Sequence, residues 1–120
     1  MGKKILIVDD DVEIVKVILL NLKPKGYECI EANSGKAALE KVISEKPNIV
    51  YLDLNLSDIS GMEVAKQIQS KPETAKLPII FLTGQSEVES NEVTQKQNVK
   101  IVLKPINFEE LIKLTENLTS

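Results

Sequence analysis

Residues 5–22 read ILIVDDDVEIVKVILLNL, and the pattern of the whole chain is contained in them. Ile5 to Val8 is aliphatic at every position, which suits a strand covered on both faces; a strand with one wet face would alternate. Three aspartates end the run. Asp11 is placed to cap a helix, and Val12, Val15, Ile18, Leu19 and Leu22 then fall on one face of it. Pro24 and Gly26 lie just past its end, where a helix stops. The unit is a buried strand, an acidic turn and an amphipathic helix.

The same unit recurs outward from this stretch. Ile49 to Leu52 and Ile79 to Leu82 are further aliphatic runs, and Val99 to Leu103 is a fourth, interrupted by Lys100. Tyr27 to Ala32 alternates, as expected nearer a sheet edge. Ser34 or Asn33 can cap a second helix with Ala38, Leu39, Val42 and Ile43 inward and Pro47 beyond its end. Met62, Ala65 and Ile68 mark a third helix, ended before Pro72. Asn107 begins the last, with Leu111, Leu114 and Leu118 at helical spacing. Ser86 to Asn98 offers only Val88 and Val93 as apolar residues, so a helix there would be short and loosely held. Five strand-then-helix repeats imply an α/β fold, a doubly wound parallel sheet with helices on both faces and right-handed crossovers.

Bulk composition narrows the function. A chain of 120 residues fits one domain, here taken as residues 1–120. The net charge of −3 argues against a nucleic-acid surface, which carries a basic excess. Histidine is absent, which removes the usual neutral-pH acid/base and any imidazole metal ligand. Cys29 is the single cysteine and reads as a small core residue of a reducing compartment. No apolar run is long enough to span a membrane. The start, MGKKILIV, lacks the length and cleavage site of a signal peptide, so the expected location is the cytoplasm.

In open sheets of this class, ligands sit beyond the carboxyl ends of the strands. Those ends carry Asp9-Asp10, Asp53, Thr83 and Lys104-Pro105, all on one rim. Three ionised carboxylates at one rim repel one another and call for a cation, a lysine or raised pKa values. Hard oxygen ligands with room for water suit Mg²⁺. Lys104 adds a second positive charge and Thr83 a hydroxyl donor, a set that can neutralise a phosphoryl group in transfer. A carboxylate can accept that group covalently.

Five motifs in order carry a resemblance: ILIVDDD (5–11), EANSGKAAL (31–39), NIVYLDLNLSDISGMEV (48–64), LPIIFLTG (77–84) and LKP (103–105). Together they resemble the receiver domains of two-component response regulators, including single-domain chemotaxis regulators. The resemblance implies the flavodoxin-like strand order 2-1-3-4-5. It implies Asp53 as phosphoacceptor, Asp9 and Asp10 as the Mg²⁺-holding pair, and Asn55 as the backbone carbonyl completing the metal site. Thr83 matches the hydroxyl that meets the phosphoryl oxygen, and Lys104 the lysine that pairs with it, next to a cis bond to Pro105. The implied partners are a sensor histidine kinase or phosphotransfer protein and a downstream protein target, with no direct nucleic-acid or membrane contact. The implied chemistry is self-modification with slow hydrolysis rather than enzymatic turnover.

This chain departs from the family pattern in four places. Ser57 stands where proline is usual, which loosens the expected turn. Ile101 and Ile106 replace frequent aromatics, so an aromatic output switch is missing. Gln85 to Val99 is unusually polar, and Gln85 with Asn55 is expected to flank the pocket and set the phosphoryl lifetime. Plainer roles compete residue by residue: Asp11 as a cap only, Asp58 as a turn residue facing solvent, Glu87, Glu89 and Glu92 as a wet face, and Met62, Phe81 and Phe108 as core. Taken singly, Asp53 could be a turn former, Thr83 a structural hydroxyl and Lys104 a surface lysine; the combination favours function. A haloacid-dehalogenase-type phosphatase would need an aspartate two residues after its nucleophile, where Asn55 stands. A receiver-like interaction module without phosphate chemistry would have no need to keep Asp9, Asp10, Asp53, Thr83 and Lys104 together.

Overall fold

A computed structural model describes residues 2–84 and 88–120. The strands are β1 (Lys4–Val8), β2 (Glu28–Ala32), β3 (Ile49–Asp53), β4 (Ile79–Thr83) and β5 (Val99–Leu103). The helices are α1 (Val12–Leu22), α2 (Gly35–Glu45), α3 (Gly61–Gln69) and α4 (Phe108–Thr119). All pairings are parallel, in the order β2-β1-β3-β4-β5. Strand order reverses between β1 and β3, so the crevice at their carboxyl ends is the topological switch point.

The aliphatic runs are buried on both faces, as their composition requires. Leu6, Val8, Val50, Leu52, Ile79 and Phe81 pack on one side with Val42, Val64 and Ile68 of α2 and α3. Ile5, Ile7, Ile49, Tyr51, Ile80 and Leu82 pack on the other with Val15, Ile18 and Leu22 of α1 and Leu111 of α4. Full burial of one such side chain stabilises by roughly 1.5–3 kcal/mol. Within the second layer Thr115 Oγ1 lies 2.7 Å from both the Leu111 carbonyl and the Tyr51 hydroxyl. The threonine proton goes to the carbonyl, which can only accept, so Tyr51 donates to Thr115. The bond ties β3 to α4.

Each helix starts at a side-chain cap. Asp11 accepts from the Glu13 and Ile14 amides, Ser34 from Ala37, Ser60 from Glu63 and Asn107 from Glu110. Helix α1 gives way to a 3₁₀ turn at Lys23–Lys25 and a left-handed Gly26. Two residues expected on inward faces are exposed, Val12 at 64% and Ile43 at 55%. Each lies about a quarter turn off the line of buried residues on its helix, and the stripe that meets the sheet is narrower than the apolar set.

The fifth helix of the expected repeat is absent from the described residues 88–98, which form turns. Asn91 explains why. Its side chain accepts from the Val93 and Thr94 amides, while its own amide donates to Thr94 Oγ1. This reciprocal cap begins a single turn, closed by the Gln95 amide on the Asn91 carbonyl. A separate turn, closed by the Val99 amide on the Lys96 carbonyl, then leads into β5, so the pattern does not propagate as a helix. Val93 is buried and Val88 half-buried against the core. Ser86, Glu87 and Gln85 lie outside the described residues. The outer strands expose charge: Glu28 and Glu31 on β2, Lys100 on β5.

Candidate functional site

The carboxyl ends of β1, β3, β4 and β5 bring Asp9, Asp10, Asp53, Thr83 and Lys104 to one rim. Asp9, Asp10 and Asp53 each offer a carboxylate oxygen, and these oxygens all lie within 4.8 Å of one another. Asp9 and Asp53 are buried, Asp10 is exposed. The Lys104 ammonium is 3.1 Å from Asp9 Oδ2 and 3.9 Å from Asp53 Oδ1. Asp9 Oδ1 accepts the Asp11 amide at 2.9 Å, so both of its oxygens are engaged. Thr83 is fully buried at the end of β4, one step beyond Leu82, which is in register with Asp53. Its carbonyl accepts the Lys104 amide at 2.7 Å, which ties the ends of β4 and β5 together just before the cis Lys104–Pro105 bond.

Asp53 bears the electrostatic load. Burial pushes its pKa up, and the Asp9 and Asp10 carboxylates push the same way. The Asn55 amide, 3.2 Å from Oδ1, and the Lys104 ammonium oppose them. The set is oxygen-rich, with three carboxylates against one ammonium, so it is short of two positive charges, and it is open to water on the Asp10 side. Those are the properties of a site for a hard divalent cation.

The loop leaving Asp53 is closed on itself. The Gly61 amide donates to the Leu54 carbonyl at 2.9 Å, and a Cβ on Gly61 would lie 2.1 Å from the Asp53 carbonyl oxygen. Only a residue without a side chain fits there. Asp58 lies exposed in the turn, as expected, but its carboxylate is also engaged. Its two oxygens accept the Gly35 and Lys36 amides, each at 2.9 Å, in the first turn of α2. These bonds and the Ile59 amide lower its pKa to about 2. The sequence carried one clue, since an acidic side chain suits a helix N-terminus, but nothing in it said which helix.

The expected core residues divide by burial: Phe81 is fully enclosed, while Met62 and Phe108 are half-buried against the two layers. Cys29 is half-buried. Gln85, expected to flank the pocket, lies outside the described residues. Among the described residues no helix is long and apolar enough to cross a membrane.

Comparison with known proteins agrees with the geometry. Residues 5–116 match the family described as the response regulator receiver domain. The alkaline phosphatase synthesis transcriptional regulatory protein PhoP of Bacillus subtilis is 41% identical over 87 residues, covering 72% of this chain and 35% of that protein. The phosphate regulon transcriptional regulatory protein PhoB of Pseudomonas aeruginosa is 35% identical over 117 residues, covering 93% of this chain and 49% of that one. The chain thus spans half or less of these relatives. The response regulator TrrA of Thermotoga maritima, solved in complex with Mg²⁺–BeF, superposes with a TM-score of 0.86 at 35% identity, over 97% of this chain and 98% of that one. Family match, strand order and the acidic rim coincide: the chain belongs to the response regulator receiver domains of two-component systems.

Proposed function

We propose that this chain, read as one receiver domain over residues 1–120, is a signalling switch set by reversible phosphorylation of Asp53. The observation that carries the reading is the cluster of Asp9, Asp10 and Asp53 with the Lys104 ammonium inside it. Asp9, Asp10, Asp53 and the Asn55 backbone carbonyl would hold Mg²⁺, which supplies positive charge for the oxygens of a phosphoryl group. An Asp53 carboxylate oxygen attacks the phosphorus of a phosphohistidine on a sensor kinase or phosphotransfer protein. The P–N bond breaks, its electrons return to the imidazole, and an acyl phosphate forms on Asp53. The Asn55 amide on Oδ1 orients the attacking carboxylate. Lys104 pairs with the incoming phosphoryl oxygens, and the Thr83 hydroxyl donates to one of them. Water later attacks the phosphorus slowly, the P–O bond to Asp53 breaks, and inorganic phosphate leaves as the free Asp53 carboxylate is restored. The chain modifies itself in this scheme and is no turnover enzyme. A downstream protein reads the two states in the cytoplasm, with no nucleic-acid contact by these residues.

Incubation with Mg²⁺ and a small phosphodonor tests the site directly. A single phosphoryl mass is expected on wild type and none on Asp53→Asn, whose circular dichroism should be unchanged. Equal labelling of the two proteins would remove Asp53 from the role.

A further inference from the structure

The loop from Leu54 to Ser60 carries Asn55, whose amide bonds the Asp53 carboxylate. Its base is fastened by Gly61 against the backbone of Asp53. Its far end is fastened by the two bonds from Asp58 to the first turn of α2. Packing reinforces that end: a Cβ on Gly35 would lie 2.4 Å from the Ile59 side chain and 2.8 Å from Val64. Helix and loop are therefore in close contact, and the carboxylate spans two adjacent amides with one oxygen each. Two bonds of this kind fix both the position and the rotation of residue 58, three residues beyond Asn55.

We infer that Asp58 is a positioning residue for the acceptor site, hooking the loop onto α2 so that Asn55 is held against Asp53. The inference rests on the roles assigned above to Asp53 and Asn55. The hook makes the first turn of α2 a structural part of the site. The amides of Gly35 and Lys36 would otherwise be among the unpaired donors at a helix start. The Ser34 cap, which serves Ala37, leaves them to Asp58.

The test compares wild type with Asp58→Ala, Asp58→Asn and Ser34→Ala. Ser34→Ala weakens the start of the same helix without touching the hook, and so separates positioning from loss of helix stability. Two quantities are read: Mg²⁺ affinity by calorimetry, and the exchange rate of the Asn55 amide by NMR without metal. Asp58→Ala is expected to speed Asn55 exchange and to weaken Mg²⁺ by about threefold to tenfold, below the ~10–100-fold of a lost outer-shell partner because the hook is solvent-exposed. Asp58→Asn keeps one acceptor oxygen and should fall between. Ser34→Ala should stay within about twofold of wild type in both readings. Wild-type values in Asp58→Ala, or equal losses in Ser34→Ala, would overturn the inference and leave the phosphorylation reading intact. Wild type that binds no Mg²⁺ would instead overturn the reading, and the positioning role with it.

Discussion

Asp53 is held between opposing influences, and their balance makes its charge costly to the folded state. Desolvation and the neighbouring Asp9 and Asp10 raise its pKa, outweighing the Asn55 amide and Lys104. A carboxyl whose pKa is raised on folding binds its proton more tightly folded than unfolded, so its ionisation weakens the fold above that pKa. Asp53→Asn should therefore raise the melting temperature at neutral pH, and the gain should shrink as pH falls through the raised pKa. Thermal scans of both proteins from pH 7 downward check the sign; a gain that grew on acidification would contradict it. Asp58 has the reverse linkage. Its pKa is lowered from 3.8 to about 2, so its contribution is present above the ordinary value and lost as pH falls toward 2. Of these two aspartates, Asp53 announced itself by standing at the end of an aliphatic strand. Asp58 did not, because its partners in α2 are more than twenty positions away in the chain.

Among the elements, strands and caps were the most readable. The five strands coincide with the aliphatic and alternating runs, since apolar residues at every position leave little choice but burial on both faces. Asp11, Ser34 and Asn107 cap the helices expected of them. Residues 88–98 were readable only in their weakness. Sparse apolar spacing signalled a poor helix, whereas the Asn91–Thr94 reciprocal cap that replaces it is a local hydrogen-bonding pattern with no apolar signature. This segment has one buried side chain, Val93, where α1 has Val15, Ile18 and Leu22. Its amides should exchange faster than those of Val12–Leu22 by about an order of magnitude or more, as expected for a unit with few buried contacts. Hydrogen exchange followed by NMR reads both segments at once, and equal protection would contradict the account.

Over the whole molecule, parallel pairing gathers groups far apart in the chain. Lys104 and Asp9 are 95 positions apart and 3.1 Å apart in space. Alternation of strands and helices showed that the strand ends share a rim; the order of strands along it came from family likeness, because pairing partners leave no mark on a single strand. Binding at that rim should be felt by the entire fold. If a beryllofluoride adduct on Asp53 adds ligands to the cation, Mg²⁺ and the adduct must strengthen each other by equal factors. Tighter Mg²⁺ binding with beryllofluoride, by calorimetry, is expected together with a rise in melting temperature; identical affinity with and without it would contradict the proposed site. The open sheet also ends in a strand that solvent reaches. On β5, Ile101 and Leu103 are 40% and 48% exposed, and Lys100 is the one charge among Val99, Ile101, Val102 and Leu103. Remove that ammonium group and the margin becomes an unbroken aliphatic ribbon, the kind of segment that seeds fibres. A single lysine on the outermost strand is what interrupts that run.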